Sequence, residues 1–295
     1  MAEKKFRSNC SKLKKWFEQD YNPKLLKDFS AFNLLKKLSE VGDPLAERIF
    51  RNEIISAFRT GKDSIVTHLK GGGFLNYLNQ NQMRELLINK YNDQEKELHL
   101  SELGLNRIPK FIFEIDDIKI LDLESNSLES ISDSIESLIH LQTLNLDYNN
   151  LKSLPESIGN LKSLKILSAI NNKLEELPYT IGNLTSLEIV DLGANPNPRV
   201  FGTNKLKEVP ESIGNLTSLI SLDLEENHLK SLPDSIGNLK NLEELLLGGN
   251  NLKTLPESIL NLNSDLMFTI WGNPCLENGD PIAKKCLNHF QNIYS

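Results

Sequence analysis

From about residue 96 to residue 275 the chain repeats itself every 23 residues, and a period of that length leaves few architectures open. Asn126, Asn149 and Asn172 stand one step apart. Asn227, Asn250 and Asn273 resume the step after an interruption, and each of the six follows apolar residues five and three positions earlier. The stretch "LQTLNLDYNNLKSLPESIGN" from Leu141 shows the unit whole. A unit this short cannot bury an apolar face alone and must stack on its neighbours, which predicts a solenoid. A chain built this way is expected to bind something.

Each unit reads LxxLxLxxNxL and then xxLPxSIGNLxx. In the third unit Leu141, Leu144, Leu146 and Leu151 follow a strand pattern, while Leu154, Pro155, Ile158 and Leu161 face inward on the return path. Eight units fit the frame. The first has Leu103 where asparagine belongs and the last has Asp265 where the opening leucine belongs, as expected for terminal repeats. The asparagines sit where the chain bends out of the strand and backbone groups need partners. An amide offers donors and an acceptor, so each is expected to satisfy its own turn and its neighbour's.

After Asn195, "PNPRVFGTN" adds nine residues (196–204), so that Leu187 and Leu219 stand 32 apart. Pro196, Pro198 and Gly202 mark a loop, which carries Arg199 and Phe201 as candidate contacts. Solenoid insertions often map to binding faces, but loops also accept extra residues at little cost, and both readings stand.

Residues 1–92 carry a different signal. Leu25, Leu26, Phe29, Phe32, Leu35 and Leu38 recur at helical spacing, and Asp43-Pro44 reads as a cap with a first-turn proline for a helix ending at Gly61. A third segment runs from Ile65 to Leu69, and Phe74, Leu75, Leu78, Met83, Leu86 and Leu87 extend the pattern. Four or five short helices are expected to pack together as a helical domain that caps the first repeat. At the other end, residues 276–295 read as a cap helix started by Asp280-Pro281, with Ile282, Cys286, Phe290 and Ile293 on one face.

Charge divides along the same line. Residues 1–92 hold 17 Lys+Arg against 10 Asp+Glu, a net +7, whereas the remainder holds 16 against 30, a net −14. An acidic array disfavours nucleic acid, whose phosphates need cations, and favours a basic partner. No apolar run reaches the roughly 18 residues of a membrane helix, and nothing apolar follows the basic start as in a secretory signal, so a cytoplasmic location is expected.

Three cysteines, Cys10, Cys275 and Cys286, are too scattered for a metal cluster, and Cys275 and Cys286 are expected as reduced core residues. Gly61-Lys62 is followed by Asp63 where a phosphate loop needs Ser or Thr, and the histidines lack ligand spacing. No catalytic, metal or cofactor site is expected, and the chain is read as a non-enzyme.

These motifs resemble those of leucine-rich repeat proteins, in the 23-residue class with "LPESIGNL" return segments. Similar units occur in bacterial and archaeal repeat proteins and in the intracellular Ras-group proteins of plants and animals. The resemblance implies an α/β fold: a right-handed solenoid with a curved parallel sheet on its concave side, spanning residues 93–275 between the helical segments. It also implies protein binding, with a small GTPase or its regulator as one partner type.

In such an arc the variable strand positions face the hollow. One column runs His99, Asp122, Asn145, Ser168, Asp191, Asp223, Leu246, Thr269, and the next runs Ser101, Glu124, Asp147, Ile170, Gly193, Glu225, Gly248, Trp271. Neither contains lysine or arginine. One reading is an acidic groove for a basic protein, with Tyr148, Ile166, Ile170 and Ile189 in one apolar island and Leu246, Met267 and Trp271 in another. The other is a solvated acidic face that serves solubility, with Trp271 under the C-terminal helix. A separate reading makes the chain a GTPase activator acting through Arg199.

Overall fold

Each repeat supplies one three-residue strand, because its central apolar residue, leucine except for Val190 and Phe268, points inward and the chain must turn at once to keep the next apolar position inside. The computed structural model describes residues 13–22, 30–60, 72–194, 203–290 and 292–294. The chain divides into two compact units, Met1–Leu86 and Leu87–Ser295. Arg199, Phe201, Cys10 and the expected Ile65–Leu69 segment lie outside the described residues.

In the first unit, α1 (Ser30–Glu40) and α2 (Pro44–Thr60) are joined by Asp43, which caps α2 by accepting hydrogen bonds at Oδ1 from the Leu45 and Ala46 amides. The hydroxyl of Tyr21 donates to its other oxygen. A 3₁₀ turn at Phe74–Tyr77 and α3 (Gln80–Leu87) follow. Phe32, Phe50 and Phe74 meet edge to face at centroid distances of 5.9–6.4 Å, and Phe50 also meets Tyr77. This aromatic cluster forms the unit's core.

The second unit is one ten-stranded sheet in chain order. β1 (Tyr91–Asn92) folds back antiparallel on β2 (Glu97–His99), so residues assigned to the helical region by sequence pattern belong to the sheet. β3 (Ile120–Asp122), β4 (Thr143–Asn145), β5 (Ile166–Ser168), β6 (Ile189–Asp191), β7 (Ser221–Asp223), β8 (Glu244–Leu246) and β9 (Met267–Thr269) then add in parallel. Among the described residues, seven 3₁₀ turns, from Lys110–Glu114 to Glu257–Asn261, form the return side, six of them entered through a proline at φ between −60° and −72°. Four of these turns set a glycine against the next turn: a methyl group on Gly182 would stand 2.2 Å from the Ser212 carbonyl oxygen.

The asparagines form the expected ladder. Asn149 Nδ2 donates to the carbonyls of Leu146 in its own unit and Leu123 in the preceding one, and its Oδ1 accepts from the Leu128 amide. Asn126, Asn172, Asn227, Asn250 and Asn273 repeat this pattern. In the interrupted repeat the position is held by Asn204, wholly buried, which donates to Ala169 and Leu192 and accepts from Leu174. By the ladder's count the nine extra residues are therefore 195–203, one place earlier than the sequence frame sets them. A buried carbonyl must be met by an amide, and Asn204 stands next to the resumed apolar pattern at Leu206.

The sheet continues past the last repeat. After α4 (Pro274–Glu277) and α5 (Pro281–His289), capped by Asp280 through the Ala283 amide, β10 (Asn292–Tyr294) pairs parallel with β9. Ile293 thus lies on a strand rather than on the face of α5. Phe290 ends the helix and packs its ring 4.8 Å from that of Phe268. Cys275 and Cys286 are buried free thiols, and burial raises both, Cys286 to about 12.

Candidate functional site

The register of the parallel strands puts the two variable columns side by side on the solvent face of the sheet. His99, Asp122, Asn145, Ser168, Asp191, Asp223, Leu246 and Thr269 are successive partners across β2 to β9. Glu124, Asp147, Ile170 and Glu225 stand two residues further along and are, like Asp122, Asp191 and Asp223, only partly exposed.

The first column has a local structural task that periodicity did not reveal. Asp122 Oδ1 accepts from the Glu124 amide, Asn145 Oδ1 from Asp147, Asp191 Oδ1 from Gly193 and Asp223 Oδ1 from Glu225. Each side chain closes an Asx turn that ends its strand. Ser168 breaks the series, and Asp147 of the neighbouring repeat takes its place, accepting from both the Ser168 hydroxyl and the Ile170 amide, at 2.6 and 2.8 Å. The signal was present in the sequence as Asp or Asn at the strand end.

The charge is costly where it stands. Burial raises Asp147 and Asp191 above the ordinary carboxylate range, and Asp223 reaches about 7. For Asp223 burial is the leading cause, opposed by the Glu225 amide and reinforced by the charges of Asp191, Glu225 and Glu244. Its carboxylate also lies across Gly193, where a methyl group would stand 2.5 Å from Oδ1. Glu124 is raised by burial and by the Asp122 and Asp147 charges. At the far edge His99 is raised by hydrogen bonds to Glu97 and Asp122.

The apolar candidates divide between the turns and the strands. Tyr148 sits in the turn at φ +54° with its amide bonded to the Ile170 carbonyl, both side chains half-buried. Ile189 pairs with Ile166 but also joins Ile220 and Met267 around a cavity of about 550 Å³, rimmed by Glu188, Glu243, Glu244 and Asp265. Ile220, 38% exposed, was not anticipated, because it lies one residue before the strand, outside the variable columns. Trp271 is 37% exposed on the sheet face, where Glu225 Oε1 accepts from its Nε1–H at 3.1 Å.

A family model described as a leucine-rich repeat region matches residues 98–219, and a second, leucine rich repeat, matches residues 202–264. This is a leucine-rich repeat protein. A solved leucine-rich repeat protein of Leptospira interrogans is similar at 34% identity over 67% of the chain, with a TM-score of 0.55. The present chain covers 48% of that protein. The leucine-rich repeat domain of the type III effector XopL is similar in fold, with a TM-score of 0.54 at 22% identity, over 78% of this chain and 92% of that one. No curated protein matches the sequence. Among the described residues of this leucine-rich repeat chain, no helix is long and apolar enough to cross a membrane, and no group of three His, Cys, Asp or Glu could hold a metal.

Proposed function

We propose that the solvent face of the sheet is a docking surface for a basic protein segment, with Asp122, Glu124, Asp147, Asp191, Asp223 and Glu225 as its charged floor. The reading fits the protein-binding role common to leucine-rich repeat folds. The observation that carries it is Asn145. This neutral residue closes the same Asx turn as Asp122, Asp191 and Asp223, so the turn does not require a charge. Acids kept for solubility would stand in water, yet here burial raises Asp191 and Asp223, the latter to about 7. Costly half-buried charges of this kind mark functional sites, and a cation brought against them recovers the lost solvation.

The test is a peptide-display selection against the full chain, with recovered binders measured on Asp191→Asn/Asp223→Asn. The expected binders are rich in lysine and arginine, and the double variant loses them while remaining folded, because asparagine preserves both turns. Neutral binders, or basic binders held equally by the double variant, would reject the reading.

A further inference from the structure

Trp271 continues the second column beyond β9, and two glycines shape its surroundings. A methyl group on Gly248 would stand 2.1 Å from Trp271 Nε1 and 2.2 Å from Cε2. One on Gly249, whose φ is +67°, would stand 3.1 Å from Cη2 of the same ring. The indole therefore extends from one glycine to the other, and no side chain larger than hydrogen could lie beneath it. At one end, Glu225 reaches across β8 to accept from both Trp271 Nε1 and the Thr269 hydroxyl, which fixes the ring. At the other end lies Glu226, whose Oε1 would stand 2.8 Å from the same Gly249 methyl. The result is an anchored aromatic plate, more than a third exposed, with a carboxylate at each end.

We propose that this plate is the seat for an arginine side chain of the docked partner. The inference rests on the reading of the sheet as a surface for basic segments and names the chemistry of one contact. A cation is drawn to the face of an indole, the strongest of the aromatic rings in this respect. The choice between the two basic side chains follows from shape. A guanidinium is planar and carries its N–H donors around its rim, so when stacked it still points donors toward the ends of the ring. An ammonium is a point charge that cannot cover the ring and reach past its edge together. Glu225 Oε1 is taken up in holding the ring through two hydrogen bonds, and Glu226, exposed at the other end, is the carboxylate that pairs with the guanidinium. Fixed aromatic side chains in such positions are the usual anchors of protein interfaces.

The chain has two tryptophans, Trp16 and Trp271, so its indole N–H signals can be assigned by Trp271→Phe and followed by NMR in the full chain. The probes are acetyl-arginine methylamide and acetyl-citrulline methylamide, which share a shape and differ in charge. The expected result is a saturable shift of the Trp271 signal with the arginine probe alone. Glu226→Gln should weaken it several-fold and Gly248→Ala, which lifts the ring, should abolish it. Equal responses to the two probes, or no response of Trp271 to the arginine probe, would overturn the seat. Selected basic peptides separate the two claims. If they depend on Asp191 and Asp223 yet bind Glu226→Gln and Trp271→Phe as tightly as the parent, the docking surface stands and the seat falls. If they are indifferent to the aspartates, the surface falls and the seat with it.

Discussion

Two polar columns run through the same repeats and obey opposite rules. The asparagine ladder is buried, neutral and satisfied: Asn172 is 1% exposed and makes hydrogen bonds to Leu146, Ala169, Ile170 and Leu151. The column that holds Asp122, Asp191 and Asp223 is half-buried, and the environment of Asp191 and Asp223 disfavours their charge. Both columns hold the chain at a turn, but only the ladder is built as stability alone would build it. The difference separates what the solenoid needs from what its surface is kept for.

The comparison is broken most forcibly on the ladder side. Asn172→Leu leaves the Leu146 and Ala169 carbonyls and the Leu151 amide inside the array without that partner. Each unsatisfied group costs about 1–3 kcal/mol, so a loss of about 3–5 kcal/mol is expected in denaturant unfolding. A midpoint equal to that of the parent would remove the ladder's structural role.

On the other side the sign reverses, because Asp223→Asn should stabilise. The folded chain holds this proton up to about pH 7, whereas an unfolded aspartate releases it at its ordinary value of 3.8. Between those values the folded state binds more protons, so the parent loses stability as pH rises, and above about pH 7 the deficit is constant. The variant avoids this loss and keeps the Glu225 amide bonded. Its advantage should be near zero at pH 4 and reach about 2–4 kcal/mol at pH 8. An advantage that does not change with pH would mean that the charge carries no penalty.

How much of this contrast was legible in the sequence depends on whether periodicity expresses it. The strands, the ladder and the composition of both columns all recur at 23 residues and could be read directly. What failed were features set by three-dimensional partnership. Asn195 and Asn204 are equally eligible by type, and only the buried carbonyls of Ala169 and Leu192 select Asn204. β1 and β10 lie outside the period, since each pairs with a terminal repeat through backbone groups that carry no side-chain signature. Trp271 could be placed in its column, but its attachment to Glu225, two strands away, follows from the absent side chain at Gly248.

A smaller test sharpens the contrast by crossing the columns' chemistry. Asn145→Asp keeps the turn to Asp147 but replaces an amide, 3.5 Å from Glu124 Oε2, with a carboxylate beside Asp122. Like charges across adjacent strands oppose folding, so a loss of about 1–2 kcal/mol is expected at pH 8 and almost none at pH 4. If the loss persists in acid, the turn itself prefers the amide and Asn145 no longer shows that a neutral residue suffices.

The edge of the same column supplies the weakest effect, and one that shows at low pH rather than at high. His99 lies 3.1 Å from Glu97 and 3.4 Å from Asp122 through its two ring nitrogens, and the hydrogen bond to Glu97 leads in raising it above its ordinary 6.5. For a base raised in this way, the added stability is complete below 6.5 and disappears as pH climbs through the folded value. Asp223 therefore loses stability from burial of an anion, and His99 from release of a proton. The imidazole is 54% exposed, and solvent screens the pair, so His99→Asn should cost only a few tenths of a kcal/mol near pH 5 and nothing near pH 8. Were the cost larger at pH 8 than at pH 5, His99 would be acting as a neutral hydrogen-bonding group, and the acidic column would have no cation of its own at any pH.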